Sequence, residues 1–278
     1  MLKTRVITAI IALIVMLCVF IFGNSHFMRL FFTILVGIGT YEISTMIFPR
    51  IYVLFSARHE AVPPPWLKPM VIAISCVLFA GSAYTQGYGV SVMMLGLLGS
   101  LLFGIFIAPE IDLSFGAGAG ILVCLVYGAF PWLAIWELYR LAPDSRYVFL
   151  MCAIVWCGDT GAYFAGRTFG RYKLAPRMSP NKTWEGSIGG IMASIAGASL
   201  LKAFYGEQMV DWPVILVCAL LGGALGQLGD LAESTFKRFS GVKDSGKIFP
   251  GHGGFLDRVD GLLFAAPAIW FVLYQFGI

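Results

Sequence analysis

The sequence predicts an all-α polytopic membrane protein with about nine transmembrane helices and a cytoplasmic N-terminus. Three observations carry that prediction. Of 278 residues, 59% are hydrophobic and only 12% charged, whereas a soluble domain carries about 25% charge to cover its surface. Mean hydropathy over the chain is +0.84, which leaves no water-facing shell to build. Apolar runs near the ~20 residues that a helix needs to cross the hydrocarbon core recur along the chain. This composition excludes a soluble globular enzyme, a disordered chain and a nucleic-acid-binding domain.

The spans read at roughly 6–22, 27–48, 70–85, 89–107, 118–138, 148–165, 186–204, 213–232 and 261–277. The first follows Lys3 and Arg5 and imitates a signal peptide. It is longer than a usual signal-peptide core, and no small-x-small cleavage site follows Phe22, so it reads as a retained span. The third and fourth are short and joined by Thr85-Gln86-Gly87-Tyr88; a single re-entrant pair is the alternative. With the N-terminus inside, 15 of the 19 basic residues fall on the cytoplasmic side. Only Arg29, Arg140, Arg146 and Lys202 fall on the other, as the positive-inside rule requires.

Residues 1–140 are five spans with brief connections and one proline-rich loop (Pro63-Pro64-Pro65). Residues 141–278 hold the remaining spans and two cytoplasmic polar loops, where the candidate chemistry gathers. No internal repeat is visible, which weighs against a transporter built from repeated halves. The six cysteines lie in apolar runs without a C-x-x-C pair and read as buried thiols. The three histidines form no H-E-x-x-H zinc motif.

Ionisable residues inside spans are functional hypotheses by default. Glu42, beside Thr40 and Ser44, reads as a buried hydrogen-bonding group, and Glu137 pairs locally with Arg140. Asp159, Asp230 and Glu233 border the polar loops. The first loop ends in Ser179-Pro180-Asn181-Lys182-Thr183, which opens the next span. Its Ser, Asn and Thr can cap a helix, and a Lys beside a helix N-terminus suits phosphate; an anion site and a plain cap both remain open. In the second loop, helical continuation past the eighth span places Asp230, Glu233, Ser234 and Lys237 on one face. Asp257 and Asp260 share a face where the ninth span begins, and Arg258 points away from it. Two such carboxylates are costly at a bilayer interface without a cation, and hard oxygen donors suit Mg²⁺. The alternative is a salt-bridged loop that only closes two spans.

The stretch Ser234 to Asp260 also resembles the signature of the phosphatidate cytidylyltransferases (CDP-diacylglycerol synthases). It does so through Ser234, Lys237, Arg238, Lys243, Asp244, Gly246, His252, Gly253, Gly254, Asp257, Arg258 and Asp260. The segments 158–163 and 179–186 are similar to that family's other characteristic region. The resemblance implies a membrane enzyme, often a homodimer, that converts CTP and phosphatidic acid to CDP-diacylglycerol and pyrophosphate with Mg²⁺, the number of ions being left open. It places the enzyme in a bacterial cytoplasmic membrane with the site on the cytoplasmic face. On that reading Asp230, Asp257 and Asp260 are the expected metal ligands, with Lys237 and Arg258 in the catalytic set. Lys182, Arg238 and Lys243 are expected to meet phosphates, along with Lys173, Ser179, Asn181, Asp244, His252 and Gly253 in substrate binding. Asp159 is a further ligand or orients Lys182. Two other readings stay open: another membrane phosphotransferase, although the D-G-x-x-A-R pattern of the CDP-alcohol enzymes is missing, and an ion transporter that uses the intramembrane carboxylates.

Overall fold

The computed structural model describes residues 19–20, 23–57, 61–85, 89–104, 106–107, 110–142, 144–249 and 253–277. The predicted first span, 6–22, lies outside these apart from Val19 and Phe20. The helices are α1 (Ser25–Phe55), α2 (Leu67–Tyr84), α3 (Gly89–Gly104), α4 (Ile111–Gly128), α5 (Phe130–Leu141), α6 (Arg146–Phe169), α7 (Trp184–Tyr205), α8 (Trp212–Phe239) and α9 (Leu256–Gln275). One hairpin, β1 (Lys173–Ala175) and β2 (Ser179–Thr183), lies between α6 and α7.

Six apolar helical segments among the described residues are long enough to cross a bilayer: α1, α2, Ile111–Leu141, α6, Trp184–Gln208 and α8. The chain is therefore a multi-pass, all-α membrane protein. α3 is a separate but shorter apolar helix. The sequence read 118–138 as one span, but the backbone breaks inside it. Ala129 leaves the helical region (φ −120°, ψ −45°) between Gly128 and Pro131, where a glycine and a proline both weaken helix continuity. α1 outruns its predicted 27–48 at both ends. Asn24 caps it by accepting the Phe27 N–H at 2.9 Å, and 31 residues make a rod about 46 Å long.

The described chain divides into two compact units. The first combines the chain up to Trp136 with Phe236–Asp257. In it α1 packs on α2 and α4, and α4 also packs on α3. Phe32 sits at its centre, ringed by Phe20, Phe79, Trp132 and Trp136 at centroid distances of 6.1–6.3 Å. The second unit combines Glu137–Thr235 with the chain from Arg258 onward. Its main contact is the pair α6–α7, joined through small residues. Gly161 faces Gly189 and Ala193, and Gly190 faces the Gly158 carbonyl. Gly186, Gly190, Gly222, Gly223 and Gly226 likewise meet neighbours within this unit. Such approach is what membrane helices use in place of a hydrophobic driving force. The five described cysteines are free.

A side chain at Gly161 would overlap the Ala193 Cβ and come within 2.8 Å of the Gly189 carbonyl oxygen. Overpacking of this kind costs about 1–3 kcal/mol. Gly161→Leu is expected to lower the melting temperature in detergent. Gly99→Leu, where a Cβ meets nothing within 4 Å, is expected to leave it unchanged.

Candidate active site

The sequence-predicted residues fall into two clusters, one in each unit. In the second unit, the hairpin and α7 position Lys182. Glu185, in the first turn of α7, accepts the backbone N–H groups of Arg171 and Tyr172 and so ties down the start of the hairpin. Thr183 caps α7 through its hydroxyl, which accepts from Gly186 N at 3.2 Å. The cap is thus Thr183, while Ser179, Asn181 and Lys182 lie in β2. From there the Lys182 ammonium reaches α8. It meets the Asp230 carboxylate at 2.5 Å and donates to the Gln227 carbonyl at 3.4 Å. Asp159, on α6, lies within electrostatic reach of both Asp230 and Lys182. Gln227 completes the cluster: its side chain accepts from Ser187 Oγ at 2.5 Å and donates to the Ser187 carbonyl at 3.1 Å. Gly229, beside Asp230, faces the Asp260 backbone carbonyl, and Asp260 Oδ1 accepts from Gly261 N. Lys173 and Asn181 are exposed on the hairpin.

In the first unit, α8 runs on to Phe239, past the 232 at which the sequence ended the span, and carries Lys237 in its last turn. Lys237 Nζ meets Asp257 Oδ1 at 2.6 Å. Asp257 Oδ2 accepts from Ser245 N at 2.9 Å and Gly254 N at 2.8 Å, and Ser245 Oγ lies 3.1 Å from it. The carboxylate that looked unpaired in the sequence therefore has a cation and two backbone donors. Burial alone would push the Asp257 carboxyl up, but Lys237 and the Gly254 and Ser245 N–H groups outweigh it and hold the carboxyl below its ordinary value. Gly253 has φ +84°, a left-handed conformation that favours glycine, and it turns the chain into this network. Lys243 and Asp244 are exposed on the same loop, Arg238 is exposed at the end of α8, and His252 lies outside the described residues. Arg258, exposed in the first turn of α9, belongs to the second unit.

The donor chemistry fits a hard cation in the second unit. Asp159 and Asp230 offer two carboxylates, and Mg²⁺ is usually held by one or two carboxylates plus substrate phosphates. Among the described residues no three His, Cys, Asp or Glu side chains are grouped to hold a metal ion.

Known proteins match the chain along nearly its full length. Residues 3–276 match the cytidylyltransferase family. The chain belongs to that family. Among its relatives, the phosphatidate cytidylyltransferase of Brucella suis biovar 1 is 38% identical over 99% of this chain and 93% of its own. Those of Staphylococcus haemolyticus (34%) and Bacillus subtilis (32%) match 98% or more of both chains. Sequence reasoning about this cytidylyltransferase missed Gln227, Ser187 and Ser245 as site-forming residues. Neutral side chains inside apolar or glycine-rich runs carry no signal beyond their polarity.

The Lys237–Asp257 pair is largely buried, with side-chain exposures of 11% and 9%. Removing one partner of such a pair costs about 3–5 kcal/mol. Lys237→Met is expected to destabilise the fold accordingly. Because the folded Asp257 carboxyl is depressed, its contribution is present above its ordinary value of 3.8 and is lost as pH falls through the lower folded value. In Lys237→Met that acid loss should begin at higher pH, measured as detergent unfolding midpoints between about pH 3 and 6.

Proposed function

We propose that the chain makes CDP-diacylglycerol and pyrophosphate from CTP and phosphatidic acid. The observation that carries this is the full-length family match together with lysines set against aspartates within its polar clusters. The relatives' names supply the substrates. The nucleophile is a lipid phosphate monoester, whose second pKa near 6 leaves it largely a dianion at neutral pH. It needs no strong base. Its oxygen forms a bond to the α-phosphorus of CTP, the bond to the β-phosphate oxygen breaks, and pyrophosphate leaves with that electron pair. The obstacle is repulsion between two polyanions.

Lys182 is the best-placed answer in the second unit. An ammonium has three donors; Asp230 and the Gln227 carbonyl engage two, and the third is directed to phosphate. Asp159 and Asp230 would hold Mg²⁺, with Asp260 a further candidate. When bound, the ion supplies charge neutralisation at the phosphates that no neutral side chain can match. Lys237, held by Asp257, is the phosphate contact assigned to the first unit, and Arg238, Lys243 and Arg258 add basic charge. We assign nine spans with the N-terminus inside and the polar loops on the cytoplasmic face of a bacterial inner membrane. CTP then arrives from water and phosphatidic acid from the leaflet. A homodimer is the expected assembly.

The test is purified protein with each of the four NTPs, phosphatidic acid and Mg²⁺, followed by CDP-lipid and pyrophosphate. Product from CTP alone is expected. Lys182→Ala should lose about 2–4 kcal/mol of transition-state stabilisation in kcat/KM for CTP. Asp230→Asn should lower kcat and raise the Mg²⁺ midpoint. Near-normal kinetics in both variants would leave Thr183 as a plain cap and Lys182 as a structural ion pair. Single cysteines at 177 and 243, in a background without natural cysteines, should react with impermeant reagent only from the cytoplasmic side. Labelling from outside would reverse the orientation.

A further inference from the structure

We infer that Glu42, on α1 and remote in sequence from both polar loops, is a positioning residue for the Asp257–Lys237 pair and acts through Ser245. The inference rests on the reading that this pair serves cytidylyl transfer. Glu42 is 1% exposed, and among the described residues it accepts from the second polar loop and the start of α9. Oε1 accepts from Phe255 N at 2.9 Å, and Oε2 accepts from Leu256 N at 2.8 Å. Both N–H groups sit at the start of α9, where amides lack helical partners and a negative charge is favoured. Oε2 also accepts from Ser245 Oγ at 2.9 Å.

Ser245 links this clamp to Asp257. Its hydroxyl lies 2.9 Å from Glu42 and 3.1 Å from Asp257 Oδ2, and it accepts the Asp257 N–H at 3.3 Å. A serine has one proton to give, and the shorter contact directs it to Glu42. Asp257 Oδ2 is then held by the Ser245 and Gly254 backbone N–H groups, which leaves Oδ1 facing Lys237. Glu42 thereby fixes two things at once: the placement of the first turn of α9 and the rotor beside Asp257. The loop is built around it. A Cβ at Gly246 would overlap Glu42 Oε1, and one at Gly254 would come 2.6 Å from Oε2. Both glycines make room for the carboxylate.

Glu42→Gln keeps the shape but turns one acceptor into an NH₂ aimed at N–H or O–H donors. Ser245→Ala removes the link and leaves the helix clamp in place. The experiment measures kcat and KM for CTP in wild type, Glu42→Gln, Ser245→Ala, the double variant and Asp257→Asn, with melting temperatures for each. Each single variant is expected to lower kcat by about tenfold or more, with KM changed less than about threefold. The double variant should be no slower than the slower single, because both changes break one chain of contacts. Losses that multiply in the double variant overturn the inference. So does a Glu42→Gln protein that melts earlier yet turns over at the wild-type rate. Should Glu42→Gln fail to fold, Ser245→Ala decides alone, and a normal kcat there overturns it. Wild-type protein that makes no CDP-lipid overturns the reading beneath the inference. An active wild type, an inactive Asp257→Asn and a fully active Ser245→Ala overturn the inference only.

Discussion

A single buried carboxylate organises the first unit. Glu42 is buried on α1, where an unpaired charge would cost several kcal/mol. Three donors offset that cost, and all three belong to residues 245–256. The consequence runs outward from there. The loop after α8 must return to α1, Gly246 and Gly254 must lack side chains, and α9 must begin at Leu256. Phe255 then stacks flat on Trp132 with centroids 5.7 Å apart, which joins the polar clamp to the aromatic centre around Phe32. A hydrogen-bonded charge and an apolar core usually compete; here the core supplies the low-dielectric setting that strengthens the bonds.

The family resemblance and the helix map were legible in the sequence for different reasons. Apolar length marks a span because the bilayer demands it. The condition under which Asp230, Glu233, Ser234 and Lys237 share one face, helical continuation past residue 232, is met, since α8 runs on to Phe239. Glu42 read correctly as a buried hydrogen-bonding group, since a carboxylate among hydroxyls in an apolar run has few alternatives. Its partners did not, because they lie more than 200 residues away and no local period connects them. The Lys237–Asp257 pair was hidden for a related reason. Helical register relates Asp257 to Asp260 and Lys237 to Glu233, but not residues on opposite sides of an irregular loop. The hairpin escaped because strands of three and five residues, one containing Pro180, show no alternation of apolar and polar positions. The break at Ala129 was missed because composition on both sides of it is equally apolar.

The two clusters differ in what their carboxylates have left to offer. Asp257 is 9% exposed, with one oxygen on Lys237 and the other accepting the Ser245 and Gly254 backbone N–H groups, the Ser245 hydroxyl 3.1 Å away. A carboxylate has about four lone-pair sites, so this one is close to saturated. It suits holding a lysine in place better than taking a hydrated cation. Asp230 is 39% exposed on its side chain, and its ion-pair partner Lys182 is 25% exposed. Asp159 stands near both, so two carboxylates share one ammonium there and negative charge is left over. Leftover negative charge beside an accessible ammonium is the condition under which a metal ion and a phosphate can both be accommodated, each meeting its opposite sign. The closed network therefore fits a positioning role, and the open cluster fits the arrival of the ion and the nucleotide.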